Sequence, residues 1–433
     1  MQHYQIVIVG TGFAGLGMAI RLKQQGIHDF RLIERANEVG GTWRDNTYPG
    51  VACDVPSHLY SFSFIQNPNW SRVFPQGNEI QQYLINACDS HHIREHIDFE
   101  TTLECATWHG TSKQWHIQTS QGMYSADFLI TATGHLADER LPEIEGIENF
   151  NGHIMHSARW QHDLDLKDQR VAVIGSGASA IQLVPKVAQK AKQLTVFQRS
   201  APYILPRPDR PYSSLEQQLF AKDPSSMQQL RHEIFWSNEY NFAQRRNVKN
   251  EIQRVKKNCL NFLAKQIPDP TLRAKLTPQY EPGCKRLLLS NDYYPTFLQP
   301  NVHLEDAALK EIGPNQVVSE QGNTYDVDVI IFATGFEAAR PPYANKVVGK
   351  HGLSLAEQWQ TGMQGYQSTT VHNFPNLFIL NGPNTATGHN SALYFLEVQF
   401  DLVLDALQYF KQENIQVFEA DAQAEEEYMA HIQ

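Results

Sequence analysis

Short apolar runs separated by glycine turns set the pattern of the chain. Gln5-Ile-Val-Ile-Val9 is β-branched and lacks polar alternation, as in a strand covered on both faces of a parallel sheet. Gly10-Thr-Gly12-Phe-Ala-Gly15 follows at once. The pattern then predicts a helix toward Gly26 and a second strand, Phe30 to Ile33, that finishes at Glu34. The order recurs downstream, where Val171-Ala-Val-Ile174 leads into Gly175-Ser-Gly177-Ala-Ser179-Ala180, a helical stretch broken by Pro185, and Leu194 to Gln198 ending at Arg199. Glu34 and Arg199 each stand 24 residues after the first glycine of their turn.

A second repeat supports the first. Tyr124-Ser-Ala-Asp127-Phe-Leu-Ile-Thr-Ala-Thr-Gly134 lines up with Tyr325-Asp-Val-Asp328-Val-Ile-Ile-Phe-Ala-Thr-Gly335, so two apolar strands end in Ala-Thr-Gly, whose small residues allow close backbone approach. Between the copies, about Ser213 to Leu276 is polar, rich in Gln, Lys and Arg with spaced Leu and Phe, and reads as a helical insertion. Leu141 to Trp160, with Pro142, Gly146 and Gly152, reads as an interdomain connection. The last elements are a strand from Asn376 to Leu380, a turn at Asn381-Gly-Pro-Asn384, a helix from about Asn390 to Phe410, and an acidic tail with Glu425 to Glu427 that simply stops.

A chain of 433 residues exceeds the roughly 250 to 300 that one core supports, so two or more domains are expected. A net charge of -10 excludes a broad nucleic-acid footprint, although an anionic cofactor needs only local positive charge. Cys53, Cys88, Cys105, Cys259 and Cys284 include no C-x-x-C pair, which argues against a zinc ribbon or a redox disulfide, and no other metal-ligand spacing appears. Apolar residues already form a strand near Gln5, with no leader pattern ahead of it, and no run approaches the ~20 residues of a membrane span. A cytoplasmic protein is the expectation.

In Gly10-x-Gly12-x-x-Gly15 the first glycine permits the tight turn, the second lets backbone approach a pyrophosphate, and the third lets helix pack on strand. The pyrophosphate would rest on the helix N-terminus. An acid at Glu34 suits ribose hydroxyls, whereas the cation Arg199 suits a ribose bearing a 2'-phosphate. Two such sites imply hydride transfer between cofactors, from NADPH at the second turn to FAD at the first. The fold class is therefore α/β, two Rossmann-like dinucleotide-binding domains with a helical insertion in the NADPH domain. The expected division is 1–145 and 332–433 for FAD, 146–162 as linker, 163–212 and 277–331 for NADPH, and 213–276 as the insertion. Plain alternatives are a strand-end charge at Glu34 and an exposed loop arginine at Arg199.

Gly40-Gly41-Thr-Trp43-Arg-Asp-Asn-Thr-Tyr48-Pro49-Gly50-Val-Ala-Cys-Asp54 resembles a stretch of the flavin-dependent Baeyer-Villiger monooxygenases. Phe150-x-Gly152-x(3)-His156-x(3)-Trp160 resembles that family's fingerprint, with Gln161 where Pro or Asp is common. Gly283-Cys-Lys285-Arg286-Leu, followed by Asn291-Asp-Tyr-Tyr294, resembles the region that carries its active-site arginine. Phe332-Ala-Thr-Gly335-Phe336 and Asn381-Gly-Pro-Asn384 resemble its late flavin-side segments.

The resemblance implies that Arg286 is the catalytic cation, that Asp54 orients it, and that Lys285 helps hold the NADPH phosphate. Gly41, Trp43, Asp54, Gly134, Gly335 and Asn384 fall to the flavin side, with Gly177 and Ser179 at the second dinucleotide. Reduced flavin and O2 would give a C4a-peroxide that Arg286 stabilises, as it would the oxyanion formed on attack at a ketone. The implied product is an ester or lactone, and sulfur oxidation can accompany it. Asp54 could instead be a turn residue before Pro56, and Lys285 and Arg286 a solvated face.

Family members continue further at the C-terminus with a segment that closes the substrate side, which this chain is expected to lack. Three alternatives remain open: a heteroatom hydroxylase, an uncoupled NADPH oxidase and a non-catalytic flavin-binding module. A flavin disulfide reductase is disfavoured by the missing C-x-x-C.

Overall fold

The computed structural model describes residues 1–386 and 388–432. Strand β1 (Gln2–Val9) runs into the first glycine turn and helix α1 (Phe13–Gln24), and β2 (Phe30–Ile33) returns parallel to β1. Ile6 and Ile8 face one core, Val7 and Val9 another, which is why this strand shows no polar alternation. Helices α2 (Thr42–Asp45) and α3 (Gly77–Ser90) precede the short β3 (Ile97–Asp98). An antiparallel run follows, β4 (Leu103–His109), β5 (Gln114–Thr119) and β6 (Gly122–Thr131), and β6 lies parallel to β1 with Ile130 opposite Ile8.

The second unit repeats this plan. Strand β7 (His153–His156) is followed by β8 (Arg170–Ile174), helix α4 (Ala178–Ala188) and β9 (Gln193–Phe197). Segment β10 (Ile204–Leu205) leads to five helices over the polar stretch: α5 (Ser214–Lys222), α6 (Pro224–Glu239), α7 (Phe242–Arg245), α8 (Lys249–Gln266) and α9 (Pro270–Lys275). The chain returns through β11 (Leu288–Leu289), which pairs with β10, then α10 (Tyr293–Thr296) and β12 (Val302–Glu305). A small meander, β13 (Leu309–Ile312), β14 (Gln316–Ser319) and β15 (Thr324–Asp326), precedes β16 (Val329–Phe332). The last elements are β17 (Val347–Val348), α11 (Leu355–Gln358), β18 (Leu377–Ile379), α12 (Ala392–Gln412) and α13 (Ala422–Ile432).

Two main sheets result. One has eight strands in the order β17-β4-β5-β6-β1-β2-β3, with β18 also on β6, and the other five in the order β12-β9-β8-β16-β7. After β16 the chain contributes strands only to the first sheet.

Three local expectations need correction. Helix α4 runs through Pro185 without a break, because losing one backbone donor is offset by burying Ile181, Leu183, Val184 and Val187 in the second core. The segment read as an interdomain connection, Leu141 to Trp160, also supplies β7, an edge strand paired in parallel to β16. The acidic tail does not simply stop: it forms α13, where buried Glu425 accepts a hydrogen bond from the His372 amide at 2.8 Å. Among the described residues no helix is long and apolar enough to cross a membrane.

Candidate active site

The two glycine turns are built alike, and the two Ala-Thr-Gly strand ends explain why. Gly10 has φ +104°, and a Cβ there would stand 2.7 Å from the Ala132 carbonyl oxygen, in the first Ala-Thr-Gly. Gly175 has φ +124°, and its Cβ would stand 2.5 Å from the Ala333 carbonyl, in the second. Each turn thus packs on the end of its neighbouring strand, where no side chain fits. A Cβ on Gly15 would fall 1.9 Å from the Gly10 carbonyl, so α1 can pack this close only with glycine.

A cavity of about 660 Å³ runs between the turns, within the range of cofactor sites. Gly10, Gly12, Glu34, Gly41 and Trp43 line one side, and Gly177 and Ser179 the other. Asp54, Gly134, Arg286 and Gly335 line it as well. A Cβ at Gly177 would meet nothing within 4 Å, leaving the second turn open to a phosphate. The bare glycine turns and the helix N-termini behind them fit a dinucleotide at each turn.

Glu34 closes the first turn from beneath. Its buried carboxylate accepts from Thr11 N at 3.1 Å, Thr11 Oγ1 at 2.7 Å and Ala36 N at 3.0 Å, and pairs with Arg44 at 2.9 Å. It therefore fixes the turn as well as lining the cavity.

At the meeting of the units, Arg286 donates from Nε and Nη2 to the two Asp54 oxygens at 2.8 and 2.9 Å, the planar two-bond geometry that holds a guanidinium most firmly. Burial lowers the pKa of Arg286, but the Asp54 charge and hydrogen bonds outweigh it and leave the group above its ordinary value. It is a fixed cation. Arg207 holds the same loop, donating from Nη2 to the Cys53 carbonyl at 2.8 Å. Burial, reinforced by Asp54, pushes the Cys53 thiol up, so it offers no thiolate. Trp43 Nε1 donates to the Tyr60 hydroxyl at 3.2 Å.

Across the second turn, Arg199 is exposed. Lys285 Nζ donates to Ser200 Oγ at 2.6 Å and lies 4.9 Å from the centroid of the Tyr280 ring. Ser176 Oγ donates to the Ser200 carbonyl at 2.8 Å, which ties the turn to the loop bearing Arg199. This donor set suits a phosphate.

The other expected residues lie elsewhere. His156 is buried in β7 opposite Phe332, its Nδ1 accepting from Ala158 N at 3.1 Å and its ring edge-on to Phe336 at 5.9 Å. Burial lowers its pKa. Gly152 is pressed between the Asp328 carbonyl and the Phe150 ring, where a Cβ would come within 2.2 and 2.7 Å, and Trp160 packs on the second core. These residues join the linker to β16 rather than face the cavity. Asn384 is exposed, with φ +64° and Nδ2 3.6 Å from Met429 Sδ, away from the cavity wall. Asn381 lines the cavity instead, with Nδ2 3.1 Å from His135 Nδ1.

Sequence reasoning named Asn381 only as part of the Asn381–Asn384 segment, and missed Arg207 and Gln182. The last reaches from α4 to accept from the Tyr48 hydroxyl at 2.8 Å and donate to the Ala52 carbonyl at 2.9 Å. Tyr48 and Ala52 were in view within the Gly40–Asp54 stretch, but nothing in the sequence marks their partner on the second unit. All five cysteines are free, and the described residues contain no group of three or more His, Cys, Asp or Glu placed to hold a metal.

Residues 7–219 match the pyridine nucleotide-disulphide oxidoreductase family. The chain is 42% identical over 415 residues to a Baeyer-Villiger monooxygenase of Streptomyces coelicolor, covering 96% of this chain and 79% of that one. It is 41% identical over 438 residues to one of Pseudomonas aeruginosa, covering 100% and 82%. Among solved structures, a steroid monooxygenase bound to NADP superposes with TM-score 0.88 at 30% identity, covering 99% of this chain and 90% of that one. An open form of cyclohexanone monooxygenase gives 0.89 at 25% identity, covering 99% and 92%.

Proposed function

The chain belongs to the Baeyer-Villiger monooxygenase family, an FAD- and NADPH-dependent group, and from that premise we propose that the Asp54–Arg286 pair is the centre at which it converts ketones to esters or lactones. The observation that carries this reading is the two-bond Asp54–Arg286 contact in the cavity between the two glycine turns. FAD held at the first turn, reduced by NADPH at the second, supplies the oxygen-activating chemistry. Overall, NADPH, a proton and O2 are consumed; one oxygen atom enters the bond beside the carbonyl and the other leaves as water.

The residues divide this work by position. Gly10, Gly12 and Gly15 give the first pyrophosphate close access to backbone amides, and Gly41, Trp43, Gly134 and Gly335 shape the flavin side. Gly177, Ser179, Arg199 and Lys285 present donors and charge to the second dinucleotide and its 2'-phosphate. Arg286 stands ready with a positive charge for the carbonyl oxygen as negative charge develops there, and Asp54 keeps that charge from turning away. His156, Phe150 and Trp160 act as positioning residues between linker and β16. On this reading residues 1–145 and 332–433 form the FAD unit, with the insertion at 213–276 carried by the NADPH unit.

The partners are a small ketone and O2. Cations gathered at the nucleotide site, in a chain of net charge -10, support no nucleic-acid role.

The test is a product assay on the yellow holoenzyme with NADPH and linear, cyclic and aryl ketones, alongside thioethers and amines. Ester or lactone in step with NADPH consumption is the expected result. Oxidation of thioethers or amines alone would overturn the ketone reading in favour of a heteroatom hydroxylase.

A further inference from the structure

The helical insertion brings a second guanidinium against the segment that enters the cavity wall at Asn390. Arg245, the last residue of α7, donates from Nη2 to the Gly388 carbonyl at 2.6 Å. Gly388 lies two residues before Asn390, which lines the cavity together with Leu393. The guanidinium lies directly against Gly388: a Cβ there would meet Nη2 at 2.3 Å, Cζ at 2.4 Å and Nη1 at 2.8 Å. Only glycine leaves the cation this place.

The neighbouring contacts hold both segments without neutralising Arg245. The Phe242 ring lies 5.1 Å from the His389 ring. Glu239 is committed to His389 Nε2 at 3.0 Å and Asn390 Nδ2 at 2.7 Å. Among the described residues no carboxylate stands within ion-pair distance of Arg245. Partial burial, with repulsion from Arg286 added, lowers its pKa. Arg286 is balanced by Asp54, whereas Arg245 is half-buried, feels the Arg286 charge and, among the described residues, has a carbonyl and no carboxylate beside it. Such a charge is costly until an anion arrives.

We propose that Arg245 is the recognition site for an anionic group on the substrate, so that the preferred ketones carry a carboxylate that reaches Arg245 while their carbonyl lies at Arg286. The inference deepens the ketone-oxygenating reading and rests on it. Gly388 is the specificity-determining partner, because its missing side chain seats the guanidinium. A charge-assisted hydrogen bond of this kind favours the acid over its neutral ester by roughly tenfold to a hundredfold.

The experiment compares levulinate and acetylbenzoate, each beside its methyl ester, in two readouts on the holoenzyme. The first is affinity for the oxidised enzyme with NADP+, followed by flavin absorbance; the second is oxygenated product per NADPH. Wild type is expected to bind and oxygenate the acids at least tenfold better than their esters. In Arg245→Gln the acid-to-ester ratio falls to near one. Gly388→Ala is expected to do the same, because its added Cβ displaces only the mobile end of Arg245.

Equal affinity of wild type for acids and esters would overturn the proposal. So would a matching loss of NADP+ affinity in Arg245→Gln, which would assign the cation to a dinucleotide phosphate. If the acids bind preferentially through Arg245 but no ketone is oxygenated, the ketone reading fails while the anion site stands. If neutral ketones are oxygenated without any preference for acids, only the anion site fails.

Discussion

On the proposed reading Arg199 and Lys285 carry the choice between NADPH and NADH, because charge at the end of β9 favours only a dinucleotide with a 2'-phosphate. Arg199→Ala is expected to raise the KM for NADPH by roughly tenfold to a hundredfold while leaving that for NADH nearly unchanged, as steady-state oxidation of each would show. Equal losses would remove Arg199 from phosphate recognition. Of the two, the sequence showed Arg199 directly through its offset from Gly175, and Lys285 only through resemblance.

His58 went unnoticed in the sequence because nothing local marks a histidine as buried. Burial first, then the Arg231 charge, lowers its pKa from 6.5 to about 4. Between those values the unfolded chain binds a proton that the folded chain refuses. Stability from neutral His58 is therefore whole above pH 6.5 and is lost as pH falls toward about 4, at up to about 1.4 kcal/mol per pH unit. His58→Gln should flatten that acid limb in urea titrations at stepped pH. An unchanged slope would show that His58 takes up its proton in the folded state.

At the scale of elements, the helices between β10 and β11 are keyed to the loop after α2 and to α12 by Arg231 on α6. Its Nη1 donates to the carbonyls of His58, Leu59 and Ser61 at 3.0, 3.1 and 2.8 Å, and Nη2 stands 3.8 Å from Glu397 on α12. Arg231→Met leaves three carbonyls without their donor and is expected to cost about 3 kcal/mol in urea unfolding. A loss under about 0.5 kcal/mol would mean that water or a neighbour replaces the contacts.

This key was hidden in the sequence. A polar stretch rich in Gln, Lys and Arg suggests solvated helices, and periodicity does not say which arginine turns inward. Pro185 and Glu425 were misread for a related reason. Local rules favour a break at proline and a free end at an acidic run, but packing of α4 on its sheet and the His372 amide override them. The glycine turns were legible because their constraint is local: Gly10 and Gly175 each meet a neighbouring strand end, and the two Ala-Thr-Gly segments repeat in the sequence too.

Over the whole molecule, the duplicated plan places two nucleotide turns toward one cavity and leaves their junction to residues from distant parts of the chain. Asp54 and Arg286 stand 232 residues apart, and their pairing was expected only through resemblance. Gln182 and Arg207, which steady the same junction, carry no sequence signal of their own. The proposed role of Arg286 is in oxygen transfer rather than dinucleotide binding or flavin reduction. It is tested most directly by the yield of ester per NADPH consumed in wild type, Arg286→Lys and Arg286→Ala, with the rate of flavin reduction measured in the same preparations. Arg286→Ala is expected still to reduce its flavin but to lose ester formation by roughly a hundredfold or more and to release peroxide, with Arg286→Lys in between. Ester formed by Arg286→Ala at the wild-type yield would contradict it.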